Sequence, residues 1–265
     1  MKIALIIEYD GTNYHGFQYQ KNVLSVQEEL EKSIYKLEQK AIRIKGAGRT
    51  DAGVHALGQV VSFDSDSGYP PEVFLNALNH YLPEDICITE SYVVRDDFDP
   101  RRDAKSRVYR YVIKKSHIRS PFFRNKVLTI SEDLDIEMMS QGAALFLGIH
   151  DFTRFTTSIA LRDTTPVRNI LRSEIVKNGN LINYIVEGNA FLMHQVRRMT
   201  GALVDLGRSI MSLEDLIGMI DGSNKIVANS LPAHGLYLEK VYYGEEFDYH
   251  IDTDYLGNTT FNEGI

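Results

Sequence analysis

The densest concentration of reactive residue types is the stretch Gly46-Ala47-Gly48-Arg49-Thr50-Asp51-Ala52-Gly53-Val54-His55-Ala56, in which three glycines surround one arginine and one aspartate. Glycine gives up more conformational entropy on folding than any other residue, so such a loop implies tight turning or the close approach of a ligand. Asp51, with an unperturbed pKa of about 3.9, is a carboxylate near neutrality and can act as nucleophile or base. An Asx turn closing its own loop is the plainer role for the same residue. Arg49 suits a phosphate contact or the orientation of Asp51, and equally a surface ion pair of small energetic weight.

Other chemistries find no support. The dinucleotide fingerprint fails because the third glycine comes two positions late and a strand follows, and no phosphate-binding loop ending in Gly-Lys-Ser/Thr is present. No H-E-x-x-H occurs among the eight histidines, and no serine sits in a G-x-S-x-G elbow, so zinc and serine hydrolases are not indicated. A glycoside hydrolase would need a second, suitably spaced carboxylate that no motif identifies. His194, one helical turn before Arg197 and Arg198, fits a structural role. Tyr109 and Tyr111, set among arginines, suit base stacking beside phosphates, although tyrosine on a strand is most often sheet packing.

The elements that must position these residues are legible from periodicity. Ser25-Val26-Gln27-Glu28 has the capping-box pattern and leads into Val26, Leu30, Ile34 and Leu37, which predicts a helix over 26–39. A strand is expected through Ile42 and Ile44, another over Gln59 to Phe63, and a helix opened by Pro70-Pro71 and ended by Pro83. Residues 86–94 read as a strand. From Arg107 to Lys115 the alternation puts Arg107, Tyr109, Tyr111 and Ile113 on one face of a long strand. Further helices are expected over 134–147, 191–206 and 213–220, a hairpin turning at Asn178-Gly179, and a closing strand over 236–243. The reading is α+β: two similar-sized lobes of mixed or antiparallel sheet with helices, divided as 1–104 and 105–243, followed by an acidic tail over 244–265. Clefts between lobes are favoured places for sites.

The composition is that of a folded chain, with 265 residues, 43% hydrophobic and 25% charged. One cysteine, Cys87, allows neither an internal disulfide nor a cysteine metal cage. The first eight residues hold only five consecutive apolar ones, too few for a signal peptide, and no run approaches the ~20 needed to span a bilayer. A cytoplasmic protein without a membrane role is expected. The net charge of −7 is uneven: residues 101–126 carry ten Lys or Arg against Asp103 alone, a net +9, leaving −16 elsewhere. Such a run is either a solvated face or a surface for a polyanion.

The segment Gly48-Arg49-Thr50-Asp51-Ala52-Gly53-Val54-His55 resembles the signature of the TruA-type tRNA pseudouridine synthases. The likeness extends in order along the chain. Tyr9-Asp10-Gly11-Thr12, Tyr14, Gly16-Phe17-Gln18 and Gln20 resemble the family's opening, as do Ser25-Val26-Gln27 and Leu30-Glu31. Arg107, Tyr109 and Tyr111 resemble its tyrosine motif, Gly148, His150, Asp151 and Phe152 its central segment, and Phe191-Leu192, His194 and Val196-Arg197 its arginine helix. Pro232-Ala233 and Gly235-Leu236-Tyr237-Leu238 resemble its end. Phe17 stands where tryptophan is frequent, and Arg198 where asparagine is frequent; neither departure removes a reacting group.

The resemblance implies a pseudouridine-synthase-like fold with its catalytic cleft between the lobes. It implies an isomerase that converts uridine to pseudouridine in the tRNA anticodon stem-loop, at nucleotides 38, 39 and/or 40, as a homodimer and without metal or organic cofactor. By the same resemblance Asp51 is the nucleophile and Arg197 the arginine paired with it. Arg49 holds or replaces the flipped nucleotide, and Tyr109 stacks on the target uracil. The basic run would guide RNA phosphates. The competing readings are a related synthase acting at other tRNA or RNA positions, and a non-catalytic RNA-binding protein. The latter would have no need of Asp51 beside Arg49.

Overall fold

The computed structural model describes residues 1–158, 161, 164–244 and 249. In chain order the elements are β1 (Lys2–Tyr9), α1 (Val26–Glu38), β2 (Lys45–Gly46), β3 (His55–Asp64), α2 (Pro71–Tyr81) and β4 (Ile86–Val94). Then come β5 (Ser106–Lys115), β6 (Leu128–Ile130), α3 (Ile136–Ala144), β7 (Gly148–Asp151), β8 (Val167–Asn178) and β9 (Leu181–Gly188). The series closes with α4 (Gln195–Gly207), α5 (Leu213–Ile220) and β10 (Leu236–Tyr242). The fold is α+β, as the alternation of periods predicts. The chain divides into two units of similar size: residues 1–105 with the described residues of 237–251, and the described residues of 106–236. Apart from Gly244 and Tyr249, the acidic tail lies outside the described residues.

In the first unit the strands lie in the order β4-β1-β3-β10. β1 pairs antiparallel with both β3 and β4, and its run Ile3-Ala4-Leu5-Ile6-Ile7 is buried throughout. A strand covered on both faces must be apolar at every position, which explains the unbroken run. β10 joins parallel to β3 through Tyr237↔His55 and Leu238↔Ala56. Ser25 caps α1 by accepting from the Glu28 amide at 3.3 Å, and α1 packs on α2, which packs on β4. The strand expected at Ile42–Ile44 reduces to β2, which pairs Lys45 with Ser62 and Gly46 with Val61 before the glycine loop leaves the sheet.

In the second unit the order is β5-β9-β8-β7, with β6 parallel to β5. β8 and β9 form the hairpin at Asn178-Gly179, where Gly179 has φ +55°. α3 packs on β8 and α4, and α4 buries Val196, Met199, Leu203 and Leu206. Two helices are shorter than their apolar patterns suggest. α3 starts after Asp135, whose carboxylate accepts from the Met138 amide at 3.0 Å, so the apolar Leu134 lies outside it. α4 starts at Gln195 because His194 adopts a left-handed backbone, φ 62°, and the Gln195 side chain accepts from the Leu192 amide at 2.8 Å. The short strands β6 and β7 carry no sequence pattern strong enough to announce them.

Candidate active site

Asp51 is held by a loop fixed to neighbouring chain at several points. The Ala47 amide donates to the Val60 carbonyl at 2.8 Å, and Gln59 Nε2 donates to the Gly48 carbonyl at 2.9 Å. Asp51 then opens a four-residue turn closed by the Val54 amide on the Asp51 carbonyl at 3.1 Å. Gly53 sits third in that turn with φ +77°, the conformation a type II turn demands there and glycine supplies without strain. Asp51 itself is half-buried, while Arg49 is exposed.

The segment after β1 forms the floor beneath this loop. The Phe17 amide donates to the Thr50 carbonyl at 3.2 Å, and the Gly53 amide donates to the Tyr14 carbonyl at 3.3 Å. The Tyr9 hydroxyl lies 2.8 Å from Thr50 Oγ1, in buried surroundings. Two glycines exist for contact. A Cβ on Gly11 would stand 2.0 Å from the Val54 carbonyl oxygen, and one on Gly16 would stand 2.5 Å from that of Thr50. This explains why Gly11 and Gly16 belong to the opening motif.

The floor is braced in turn. Asp10 accepts from the amide and hydroxyl of Thr12, at 3.1 and 2.6 Å. His55 Nδ1 accepts from the Gly11 amide at 3.0 Å and lies the same distance from Asp10 Oδ1. One nitrogen cannot accept from Gly11 and donate to Asp10 at once, and the amide can only donate. The neutral tautomer with its proton on Nε2 therefore fits the Gly11 bond, and the His55 ring stacks on Tyr237 at 4.7 Å. Tyr14 donates to Asp85 in a short hydrogen bond, and burial, reinforced by that carboxylate, pushes its phenol far above the ordinary value. Tyr9, Tyr14, Thr50 and His55 have no role assigned by residue-type reasoning alone; the ordered motif around Tyr9 to Gln20 was the available signal.

Tyr109 and Arg197 belong to the second unit. Tyr109, on β5 opposite Val186, packs edge-to-face on Phe191 with ring centres 5.2 Å apart. Two residues on, Tyr111 is buried and donates to the Pro232 carbonyl at 2.8 Å. α4 packs against β5, and the Arg197 charge beside the Tyr111 phenol opposes the upward push of burial on it. Arg197 Nε donates to the Leu231 carbonyl at 2.7 Å, and the Leu231 amide donates back to the Arg197 carbonyl at 3.3 Å. Arg198 Nη1 donates to the Ala228 carbonyl at 2.8 Å. The segment 228–232 is thus clasped to the first turns of α4, where a Cβ on Gly201 would stand 2.1 Å from the Asn229 carbonyl oxygen. The Arg198 side chain serves this clasp.

The basic run changes character in three dimensions. Arg110 is only 1% exposed, on the face of β5 opposite Tyr109, so its guanidinium is not presented to solvent. Lys115 is engaged by Asp133 at 2.7 Å. A separate groove of about 710 Å³ runs along α1, lined by Glu28, Lys32, Tyr35, Arg43 and Tyr81 among others. Its charges pair with one another, Lys32 with Glu28 and Glu29 and Arg43 with Glu31, which marks a solvated helix face. Among the described residues no three His, Cys, Asp or Glu side chains could together hold a metal ion. No described helix is long and apolar enough to cross a membrane.

The sequence profile of the tRNA pseudouridine synthases matches residues 5–101 and 143–244, spanning the Asp51 loop and its floor as well as α4 and its clasp. The chain belongs to the tRNA pseudouridine synthase family. Curated relatives called tRNA pseudouridine synthase A are similar to it along most of their length. That of Acetivibrio thermocellus is 41% identical over 91% of this chain and 99% of its own. Those of Ruminiclostridium cellulolyticum and Aliivibrio salmonicida are 42% and 39% identical over 91% and 94% of this chain, and over 99% and 95% of theirs. The synthase is therefore an isomerase of uridine in tRNA, and the resemblance of its motifs to the TruA type holds over nearly the whole length of these relatives.

Proposed function

We propose that this synthase isomerises uridines at positions 38, 39 and/or 40 of the tRNA anticodon stem-loop, with Asp51 as its nucleophile. The observation that carries the proposal is the half-buried Asp51 carboxylate on a loop fixed at Gly48, Thr50 and Gly53. Isomerisation requires uracil to be detached from ribose, turned while held, and rejoined through carbon. A carboxylate that must attack in one orientation gains from a backbone that cannot drift. An Asx turn needs no such floor.

The other roles follow the family pattern. Arg197 is the arginine that the family pattern assigns to the catalytic carboxylate; its Nε bond to Leu231 fixes the plane of the guanidinium. Tyr109, set by Phe191, stacks on the target uracil. Arg49, which is exposed, suits the phosphate or the vacated place of an extruded nucleotide. The enzyme works as a cytoplasmic homodimer on tRNA and uses no cofactor. Incubating tRNA lacking pseudouridine with wild type and Asp51→Ala, then mapping modified sites by chemical labelling, tests the reading. Modification at 38–40 by wild type alone supports it, and activity retained by Asp51→Ala removes the nucleophile assignment.

A further inference from the structure

The loop from β5 to β6 has features that the isomerisation chemistry leaves unexplained. Phe122 is 91% exposed and Ile118 77% exposed, forgoing the burial that normally stabilises such side chains. Loose chain does not account for this. The Ser116 amide donates to the Ile130 carbonyl at 2.9 Å, and Ser116 Oγ bonds both the carbonyl and the amide of Ile118, at 2.7 and 3.2 Å. A single 3-10 turn over Pro121–Phe123 follows, bounded by the Phe123 amide on Ser120 and the Arg124 amide on Pro121, at 3.2 and 3.3 Å. Val127 and Ile130 are buried at its root. Phe123 lies under the Lys114 ammonium, 4.0 Å from its ring centre, while its neighbour Phe122 faces water.

The loop and its root carry Lys114, His117, Arg119, Arg124 and Lys126, and no Asp or Glu occurs between Ser116 and Ser131. One-signed charge around an exposed aromatic ring fits a polyanion that also offers flat π-faces. We propose that this loop is a further RNA contact of the synthase, in which Phe122 stacks on an unpaired base of the tRNA and Arg119 and Arg124 hold the adjoining phosphates. The inference rests on tRNA being the substrate and is independent of which nucleotide reacts or whether Asp51 attacks it.

The chain has no tryptophan, so Phe122→Trp installs a single fluorescent reporter. With or without Asp51→Ala in the same chain, tRNA is expected to quench that emission to saturation. Tyr35→Trp, on the exposed side of α1, is expected to stay unchanged. Phe122→Ala, in otherwise wild-type enzyme, is expected to raise KM for tRNA about tenfold with kcat kept. Emission from Phe122→Trp that ignores saturating tRNA, while wild type binds tRNA in a gel shift, overturns this inference alone. A wild type that binds no tRNA overturns the substrate assignment with it. Emission that changes with protein concentration in the absence of tRNA assigns the surface to a second copy of the chain and likewise overturns the proposal.

Discussion

The Tyr9 hydroxyl and Thr50 Oγ1 lie 2.8 Å apart, joining the end of β1 to the residue immediately before the catalytic candidate Asp51. Both side chains are buried, so removing one leaves the other without its partner. Tyr9→Phe is expected to cost about 1–2 kcal/mol of stability, seen as a lower denaturant midpoint with unchanged slope. A shifted Thr50 displaces Asp51, so kcat should fall while KM for tRNA holds. A variant with the stability loss but wild-type kcat would show that this bond supports the fold and not the carboxylate.

Gly16 and Gly179 form a natural comparison. Both have positive φ, +93° and +55°, but only Gly16 presses on backbone, its notional Cβ lying 2.5 Å from the Thr50 carbonyl oxygen. Gly179→Ala should therefore cost about 1 kcal/mol, from the left-handed backbone alone, whereas Gly16→Ala should cost about 3 kcal/mol or more. Thermal unfolding of the pair measures the difference; equal losses would contradict the close approach of the opening motif to the Asp51 loop.

Much of this was legible beforehand, and what was not has physical reasons. Ser25 with Glu28, and Asn178 with Gly179, act on backbone within a few residues, so local sequence specifies α1 and the β8–β9 turn directly. The start of α4 misleads because Phe191 and Leu192 are apolar at helical spacing, yet the left-handed His194 and the Gln195 side chain place the helix boundary after them. Arg110 looks like part of a basic surface until the pleat of β5 turns it inward, and charge counting carries no information about facing. The pairing of β10 with β3 and the fit of Gly16 beneath Thr50 join residues far apart in sequence, where no local pattern records them. The ordered motifs located the Asp51 loop; the contacts that fix it needed coordinates.

His234 makes stability depend on pH. Burial, and after it the Arg197 charge, disfavour the imidazolium and lower its pKa below the ordinary value near 6.5. Between the lowered and the ordinary value the unfolded chain binds more protons than the folded one, so stability rises with pH through that window. Its contribution is complete above about pH 6.5 and is lost as pH falls through the folded pKa. Denaturation across mildly acidic to neutral pH should show a shallower slope for His234→Asn than for wild type. An identical slope would place His234 in a setting that protonates without penalty.

Arg197→Lys separates charge from geometry. The ammonium keeps the cation but cannot reproduce the guanidinium plane fixed by Nε on the Leu231 carbonyl. Turnover is expected to fall by about tenfold to a hundredfold with tRNA binding largely retained. Loss of binding in the same proportion would assign Arg197 to holding RNA.

In the proposed mechanism one carboxylate, Asp51, performs the isomerisation. Single-turnover reaction of Asp51→Asn with tRNA lacking pseudouridine, mapped at nucleotide resolution beside wild type, tests it most directly, because the amide keeps the loop's shape and removes only the charge. Wild type is expected to form pseudouridine at 38–40 and Asp51→Asn none above background, the folded structure and tRNA affinity being kept. Pseudouridine formed by Asp51→Asn at a rate comparable to wild type would contradict it.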